Sequence, residues 1–249
     1  MRMKAMIFAA GLGTRMRPLT DHLPKALVQV NGIPLLEIVI RHLMAYGFCE
    51  IIINVHYKAE QIVDFLKQKN NFGIHIQISD ESDLLLETGG GLQKAAPFFD
   101  DGAPFLVCNC DILSNINLDA LLQAHHQGES IATVAVRNRS TARYLLFDDN
   151  MSLCGWQNIK TDELRMSKTR QYTSPYAFSS FQILTADFLR LLPKVLTKYS
   201  IIDVYLEAAK QHNILGYIHN NDTWADIGTS KHIQEGEIVL KSMNILFEK

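Results

Sequence analysis

Apolar residues in the first half of the chain occur in short runs that alternate with segments of helical spacing. Residues 3–9 and 50–55 are largely apolar runs, which predicts strands buried on both faces of a sheet. Residues 34–46 predict a helix between them, because Pro34 lies in its first turn and Gly47 follows its end. Alternation of strand and helix is typical of βαβ units, so the pattern predicts a mostly parallel sheet.

The rest of the first half continues this alternation. Residues 59–68 predict an amphipathic helix with Ile62, Phe65 and Leu66 facing inward. Thr88 is expected to cap a later helix, because a threonine hydroxyl can accept a hydrogen bond from a free backbone N–H. The remaining predicted elements of this half are strands at residues 74–78 and 104–108 and helices at residues 89–96 and 118–126.

The second half is less regular and predicts strands of a mixed sheet. Residues 155–173 are polar, and we expect them to form a mobile flap. Ser200 with Asp203 is similar to a capping box and should open a helix over residues 201–211. The other predicted elements are strands at residues 130–136, 144–147, 177–184 and 214–218 and a helical tail at residues 229–243. Together the elements predict one α/β domain, with a Rossmann-like, mostly parallel mixed sheet flanked by helices.

Composition and charge exclude several classes of partner. The 249 residues have a formal net charge of −2 and scattered basic residues, so no field is expected that could hold nucleic acid. The sequence contains no run of about 20 apolar residues, so we expect no membrane span. The start imitates a signal peptide, but Arg15 and Arg17 follow a short apolar stretch, so we expect a cytoplasmic protein.

The cysteines and histidines do not predict a metal site. No C-x-x-C pair is present, so we expect buried free thiols. The histidines contain no H-E-x-x-H motif, so we expect solvated or core imidazoles. The cysteines are Cys49, Cys108, Cys110 and Cys154.

The loop after the first strand has the strongest chemical signal. Gly11 and Gly13 allow the backbone to approach a ligand closely and to point N–H groups at an anion. The dinucleotide fingerprint is excluded because its third glycine position holds Met16, and a Walker loop is excluded because no Gly-Lys-Ser/Thr follows. Arg15 and Lys25 add two fixed cations that could grip a triphosphate.

Four motifs spread over nearly the whole chain resemble the sugar-1-phosphate nucleotidylyltransferase family. They are Gly11-Leu12-Gly13-Thr14-Arg15 with Pro24-Lys25, Leu86-Glu87-Thr88-Gly89-Gly90-Gly91, Asn109-Cys110-Asp111, and Trp224-Ala225-Asp226-Ile227-Gly228-Thr229. The resemblance implies a nucleotide-diphospho-sugar transferase (GT-A-like) fold, a nucleoside triphosphate and a sugar 1-phosphate as substrates, and Mg²⁺ as cofactor. It also implies a nucleotide-binding half, residues 1–128, and a sugar-binding half, residues 129–249, whose helical tail could mediate a homodimer.

The resemblance implies a role for each matching residue. Arg15 and Lys25 are expected to be catalytic. Asp111 and Asp226 are expected to bind magnesium, which usually takes one or two carboxylates plus substrate phosphates. Residues expected to bind the nucleotide are Ala9, Ala10, Gly11, Gly13, Thr14, Glu81 and Gly89. Residues expected to bind the sugar are Glu87, Thr88, Gly90, Asn109, Asn158 and Ser180.

Some positions depart from the family pattern. Cys110 and Ser180 stand where the family generally has glycine, and their extra bulk could narrow the pocket. The Glu-Lys-Pro element, whose lysine holds the sugar phosphate, is absent, which leaves Lys160 and Lys168 as candidates for that role.

The sequence leaves the base and the sugar open. The Glu-Thr-Gly-Gly-Gly segment, with Gly155-Trp156-x-Asn158, is similar to the N-acetylmuramate 1-phosphate uridylyltransferases of the family. UTP with N-acetylmuramate 1-phosphate or a similar sugar is therefore the first expectation, and GTP with mannose or heptose 1-phosphate is the second. Two alternatives are a non-catalytic NDP-sugar-binding regulatory protein and a cytidylyltransferase that acts on a phosphorylated alcohol.

Overall fold

Strands and helices alternate along the first half of the chain, as the apolar pattern predicts. A computed structural model describes residues 3–169 and 173–243. The strands are β1 Met3–Phe8, β2 Gln29–Val30, β3 Ile33–Pro34, β4 Phe48–Val55, β5 His75–Asp80, β6 Phe105–Asn109, β7 Ile112–Ser114, β8 Ala132–Arg137, β9 Arg143–Phe147, β10 Leu153–Asn158, β11 Glu163–Met166, β12 Ser174–Leu184, β13 Ile214–Ile218 and β14 Trp224–Asp226. The helices are α1 Leu35–Ala45, α2 Ala59–Gln68, α3 Glu87–Ala95, α4 Leu118–Gln127, α5 Ala186–Arg190, α6 Ile201–Ala208 and α7 Ile233–Ser242.

The chain folds into two compact units whose segments alternate along the sequence. Unit 1 contains the described residues of 1–86, 107–116 and 222–249. Unit 2 contains the described residues of 87–106 and 117–221. The assignment of residues 1–128 to the nucleotide and of residues 129–249 to the sugar stays a prediction.

Unit 1 is built on parallel strands. Strands β6, β1, β4 and β5 are neighbours in that order, and β1 pairs with β4 and β4 with β5 in parallel register. Met6, Ile7 and Ile53 are fully buried in this sheet. The carboxyl ends of parallel strands meet at one edge of a sheet, and ligands of such sheets bind beyond that edge. The loops after β1 and β5 begin at this edge.

The helices of unit 1 confirm the predicted pattern. On α1, the side chains of Leu36, Ile40 and Leu43 are fully buried and lie on one face at helical spacing. Gly47, with φ +80°, follows the helix in the left-handed region that favours glycine. Helix α2 has the predicted bounds, and its inward face includes Ile62. Burying a leucine or isoleucine side chain stabilises a fold by about 1.5–3 kcal/mol.

Unit 2 contains a mixed sheet. Strand β8 pairs in antiparallel fashion with β12 and in parallel fashion with β13. Strand β12 also pairs with β9, and β9, β10 and β11 follow one another as antiparallel neighbours. Parallel pairing of β1, β4 and β5 in unit 1 and mixed pairing in unit 2 confirm the predicted α/β fold class.

Residues 155–166 form a regular β-hairpin, and the expected mobility of residues 155–173 stays a prediction. Strands β10 and β11 form an antiparallel pair there, with Gly155 opposite Met166 and Trp156 opposite Arg165. A Cβ on Gly155 would lie 2.7 Å from the carbonyl oxygen of Arg165, so glycine permits the close approach of the strands. The segment is polar because much of it is a half-exposed hairpin, and residues 170–172 lie outside the described residues.

Thr88 does not cap the helix that follows it. Helix α3 already begins at Glu87, so Thr88 lies inside its first turn. The hydroxyl oxygen of Thr88 accepts a hydrogen bond of 3.0 Å from the N–H of Ile201 instead. The Thr88 side chain thus accepts a hydrogen bond from a backbone N–H in the first turn of α6 that has no partner within that helix. The sequence alone does not indicate that α6 lies near Thr88.

The predicted capping box at the start of α6 is half correct. The Ser200 hydroxyl accepts a hydrogen bond from the first turn of the helix, as a serine cap should. Asp203 does not reach back to the helix start, because its carboxylate pairs with Arg165 at 2.8 Å. The helix ends at Ala208, short of the predicted limit at residue 211.

The last described segment is helical, as predicted. A 3-10 turn at Ser230–His232 leads into α7, which ends at Ser242. Within residues 3–169 and 173–243, no helix is both long and apolar enough to cross a bilayer. The prediction of buried thiols is correct for Cys108, Cys110 and Cys154, whereas Cys49 is half-buried.

A buried histidine makes the stability of the protein depend on pH. Burial lowers the pKa of His42 on α1 to about 4, whereas histidine in an unfolded chain titrates near 6.5. The unfolded state therefore takes up a proton between these values while the native state stays neutral. The stability that this group contributes is fully present above pH 6.5 and is lost as the pH falls toward 4.

We expect His42→Phe to reduce this loss. The free energy of unfolding of the variant should fall less on acidification than that of the unmodified chain, by up to about 1.4 kcal/mol per pH unit. Urea unfolding at pH 7 and pH 5 measures the difference, and the exposed His22 in a His22→Phe variant is the control. Equal pH dependence in the His42 variant and the unmodified chain would contradict the assignment.

Candidate active site

The loop after β1 is shaped by two glycines with different roles. Gly13 has φ +66°, in the left-handed region, and precedes a 3-10 turn at Thr14–Met16. A Cβ on Gly13 would lie 2.9 Å from Cγ2 of Thr20 and 3.2 Å from Cβ of Lys25, so both backbone and space require glycine there. A Cβ on Gly11 would have no described neighbour within 4 Å. The backbone at Gly11 is therefore open to approach by a ligand.

Thr20 fixes the conformation of this loop, although the motif analysis assigned it no role. It is 1% exposed, and its hydroxyl donates a hydrogen bond of 2.8 Å to the carbonyl oxygen of Gly13. The N–H of Met16 donates to the same oxygen at 2.9 Å. These two hydrogen bonds thus fix the orientation of the Gly13 carbonyl group in the loop.

Lys25 and Asp111 form an ion pair. The Nζ atom of Lys25 donates a hydrogen bond to Oδ2 of Asp111. The side chain of Lys25 is 9% exposed and that of Asp111 20% exposed. Pro24 precedes the turn that begins at Lys25, and Asp111 follows β6, so segments far apart in sequence supply the two groups. Removing one partner of a buried pair leaves an uncompensated charge, which costs about 3–5 kcal/mol.

The pairing of β7 with β14 brings the two candidate metal-binding acids together. The strands are antiparallel, with Asp226 opposite Ile112. The N–H of Ile227 donates a hydrogen bond of 2.8 Å to the carbonyl oxygen of Asp111. The backbones of Asp111 and Asp226 are therefore close neighbours across a two-stranded ladder.

Arg15 faces the second of these acids. The position that a Cβ would occupy on Gly228 is 2.8 Å from Oδ1 of Asp226 and 3.1 Å from Nη2 of Arg15. The two charged groups therefore flank the same point. Arg15 is exposed, and within the part of the chain that the structure describes it makes no ion pair. Its guanidinium is free to bind an anion.

The donor set of this region fits a hard divalent cation. The described residues contain no group of three or more His, Cys, Asp or Glu side chains arranged to hold a metal ion. Asp111 and Asp226 can supply two carboxylates, and Mg²⁺ usually binds through one or two carboxylates together with substrate phosphates. The contact of Lys25 with Asp111 indicates that this carboxylate already presents an oxygen to a cation.

Glu81 holds three segments of unit 1 together. Its side chain is 1% exposed, and its two oxygens accept hydrogen bonds from Nδ2 of Asn54 at 2.7 Å and from the N–H of Leu86 at 3.0 Å. Oδ1 of Asn54 in turn accepts from the N–H of Ala9 at 2.8 Å. The nucleotide contacts of Glu81 and Ala9 stay predictions. Asn54 was missed, because an asparagine inside an apolar run gives no sign of its partners.

Cys110, one of the departures from the family pattern, is a neutral buried thiol. Burial, with a smaller effect from Asp111, raises the pKa of Cys110 to about 12. Its N–H donates a hydrogen bond of 3.0 Å to the carbonyl oxygen of Phe8, which ties the end of β6 to β1. Asn109, the last residue of β6, is half-buried beside it. A thiol held in the protonated state is not available as a nucleophile.

Most of the predicted sugar-binding residues lie in unit 2. Gly89 packs against Tyr199: a Cβ on Gly89 would lie 2.3 Å from the tyrosine ring, and the N–H of Gly89 donates to the Tyr199 carbonyl at 2.9 Å. Packing against Tyr199 is therefore by itself a sufficient reason for glycine at position 89 of helix α3. The predicted site residues in unit 2 are Glu87, Thr88, Gly89, Gly90, Asn158 and Ser180.

The remaining candidates for binding the sugar or its phosphate also lie in unit 2. Asn158 ends β10, and Lys160 is exposed in the turn after it. Ser180 has φ +66°, a conformation that favours glycine, which accounts for the glycine that the family generally has there. Nζ of Lys168 lies 3.4 Å from the carbonyl oxygen of His212. The sugar contacts of these residues stay predictions.

Comparisons with known proteins find a matching family and several relatives. The family model described as "Nucleotidyl transferase" matches residues 4–145. The chain is 46% identical over 121 residues to an N-acetylmuramate alpha-1-phosphate uridylyltransferase of Neisseria meningitidis, an alignment that covers 49% of this chain and 52% of the relative. It is 32% identical over 192 residues to a UTP–glucose-1-phosphate uridylyltransferase of Synechocystis, covering 71% of this chain and 49% of the relative. The chain thus spans about half the length of these relatives.

A solved structure supports the fold over nearly the whole chain. The inositol-1-phosphate CTP transferase from T. maritima superposes with a TM-score of 0.76 at 18% identity, covering 99% of this chain and 99% of that one. At this level of identity the likeness concerns the fold alone.

The buried Asn54 side chain should be essential for stability. Asn54→Ala would leave an oxygen of Glu81 and the N–H of Ala9 without their partners, which should cost about 3 kcal/mol of unfolding free energy. Urea unfolding measures the loss. The exposed amide of Gln68 supplies the control, since Gln68→Ala should change stability by less than about 0.5 kcal/mol. Similar stability in the two variants would show that the network contributes little.

Proposed function

We propose that this chain, which belongs to the nucleotidyl transferase family, joins a nucleoside triphosphate to a sugar 1-phosphate and releases pyrophosphate. The proposal depends on one observation in unit 1: two positively charged side chains lie close to two aspartate carboxylates. Lys25 is paired with Asp111, Arg15 faces Asp226, and the β7–β14 ladder joins the acids. A reaction between two anions needs such a cluster of charges.

In the proposed reaction, an oxygen of the sugar phosphate attacks the α-phosphorus of the nucleotide in line with the leaving group. A new phosphorus–oxygen bond forms as the bond from the α-phosphorus to the bridging oxygen breaks, and pyrophosphate leaves with the electron pair. Catalysis of this kind depends on positioning and on neutralising charge. It needs no side-chain nucleophile, which agrees with the neutral state of Cys110.

Each cluster residue has a distinct task in this proposal. The open backbone around Gly11 would receive the phosphates, and Lys25 would neutralise the α-phosphate. Arg15, exposed and without an ion pair among the described residues, would stabilise the departing pyrophosphate. Asp111 and Asp226 would hold Mg²⁺, which supplies positive charge to the triphosphate when it is bound.

For the substrates, we propose UTP with N-acetylmuramate 1-phosphate or a similar sugar. The similarity to the Neisseria meningitidis uridylyltransferase and the Glu87-Thr88-Gly89-Gly90-Gly91 segment support this choice. The alternative substrates are GTP with mannose or heptose 1-phosphate. Assays that combine different nucleotides with different sugar 1-phosphates distinguish the two possibilities.

Lys25→Met and Asp111→Asn should each lower turnover by roughly a hundredfold, equivalent to about 3 kcal/mol of transition-state stabilisation. Both substitutions keep the shape of the side chain while removing its charge. Pyrophosphate release measures turnover, and circular dichroism checks that the variants fold. Lys67→Ala, which removes an exposed lysine of unit 1, should keep full activity. Activity equal to that of the unmodified chain in either site variant would remove that residue from the site.

A matrix of four nucleoside triphosphates and several sugar 1-phosphates tests the activity and the substrate together. Mass spectrometry of the products should detect a UDP-sugar and pyrophosphate, with the highest yield for N-acetylmuramate 1-phosphate. A GDP-sugar as the main product would support the alternative substrates. Binding of an NDP-sugar without turnover of any pair would indicate a regulatory protein and would overturn the proposed activity.

A further inference from the structure

Gly228 is a buried residue whose backbone does not require glycine. It follows β14 in unit 1 and lies two positions after Asp226. Its φ lies outside the left-handed region, so other residues can adopt its backbone conformation. The reason for a glycine at this position must therefore be the space around it.

Two charged side chains occupy that space. A Cβ on Gly228 would lie 2.8 Å from Oδ1 of Asp226, 3.1 Å from Nη2 of Arg15 and 3.3 Å from Nη1 of Arg15. Carbon atoms in favourable contact with their neighbours lie about 3.5–4.0 Å away. A methyl group would therefore displace the carboxylate and the guanidinium, which are the mobile ends of their side chains, and leave the backbone in place.

We infer that Gly228 is a positioning residue, which keeps the carboxylate of Asp226 and the guanidinium of Arg15 in place by having no side chain. The inference rests on the proposed function and deepens it. A side chain at position 228 would displace the carboxylate of Asp226 and the guanidinium of Arg15 from their present positions. The metal-binding pair and the anion-binding group would both be misplaced.

Gly236 provides a matched control. It is also buried in unit 1, on α7, and a Cβ there would lie 2.7 Å from Cδ1 of Ile227 and 3.3 Å from Cγ2 of Val30. The three atoms nearest to that position all belong to apolar side chains. Gly236→Ala should therefore lower the melting temperature through overpacking and should not change the affinity for a divalent cation.

The test compares Gly228→Ala with Gly236→Ala and the unmodified chain. Binding of Mn²⁺ without nucleotide, followed by electron paramagnetic resonance, should weaken about 10- to 100-fold in Gly228→Ala, as for other changes next to metal ligands. The Mg²⁺ concentration for half-maximal pyrophosphate release should rise, and the melting temperature should stay close to that of the unmodified chain. Unchanged Mn²⁺ affinity, or a loss of melting temperature as large as in Gly236→Ala, would overturn the inference.

Double variants distinguish the effect of displacing the Asp226 carboxylate from the effect of displacing the Arg15 guanidinium. In an Asp226→Ala background, adding Gly228→Ala should leave the Mn²⁺ affinity unchanged, because the displaced carboxylate is already absent. In an Arg15→Ala background, adding Gly228→Ala should still weaken Mn²⁺ binding, because the carboxylate of Asp226 is present and is displaced. An additive loss of Mn²⁺ affinity in the Asp226→Ala background would overturn the inference.

Failure of the proposed function gives a different result. If the unmodified chain turns over no pair of substrates, the proposed activity fails, while the Mn²⁺ titrations still test whether Gly228 positions Asp226. If the unmodified chain is active and Gly228→Ala matches it in Mn²⁺ affinity and in Mg²⁺ dependence, only the positioning role fails.

Discussion

The antiparallel pairing of β7 with β14 is the constraint on which the candidate site depends. Each strand is only three residues long, yet the ladder sets Asp226 opposite Ile112 and beside Asp111. Without it, the two carboxylates would belong to segments with no reason to meet. With it, the backbones of the two aspartates are held next to each other.

Two positively charged side chains from the loop after β1 lie close to these aspartates. Lys25 neutralises Asp111 directly, and Arg15 faces Asp226 across Gly228. In the ligand-free protein the four charges therefore balance. In the proposed function, Asp111 and Asp226 would hold a divalent cation, and Lys25 and Arg15 would bind the phosphates of the nucleotide.

The surrounding structure keeps these groups in place with buried polar contacts. Thr20 holds the carbonyl of Gly13, and Asn54 joins Glu81 to the start of the loop at Ala9. Satisfied buried hydrogen bonds of this kind fix a single conformation, because any alternative leaves a donor or an acceptor without a partner. The loop is thus held in one conformation, which would lower the entropic cost of binding a ligand.

The sequence by itself determined the elements with strong local periodicity, such as β1, α1 and α2, and it singled out the glycine-rich loop with Arg15 and Lys25. Only the tertiary structure decided which distant segments meet. It showed that β14 pairs with β7, that polar residues after Gly155 form a hairpin, and that Thr88 serves another helix. Local patterns report which face of an element is buried, whereas pairing between distant segments depends on the whole chain.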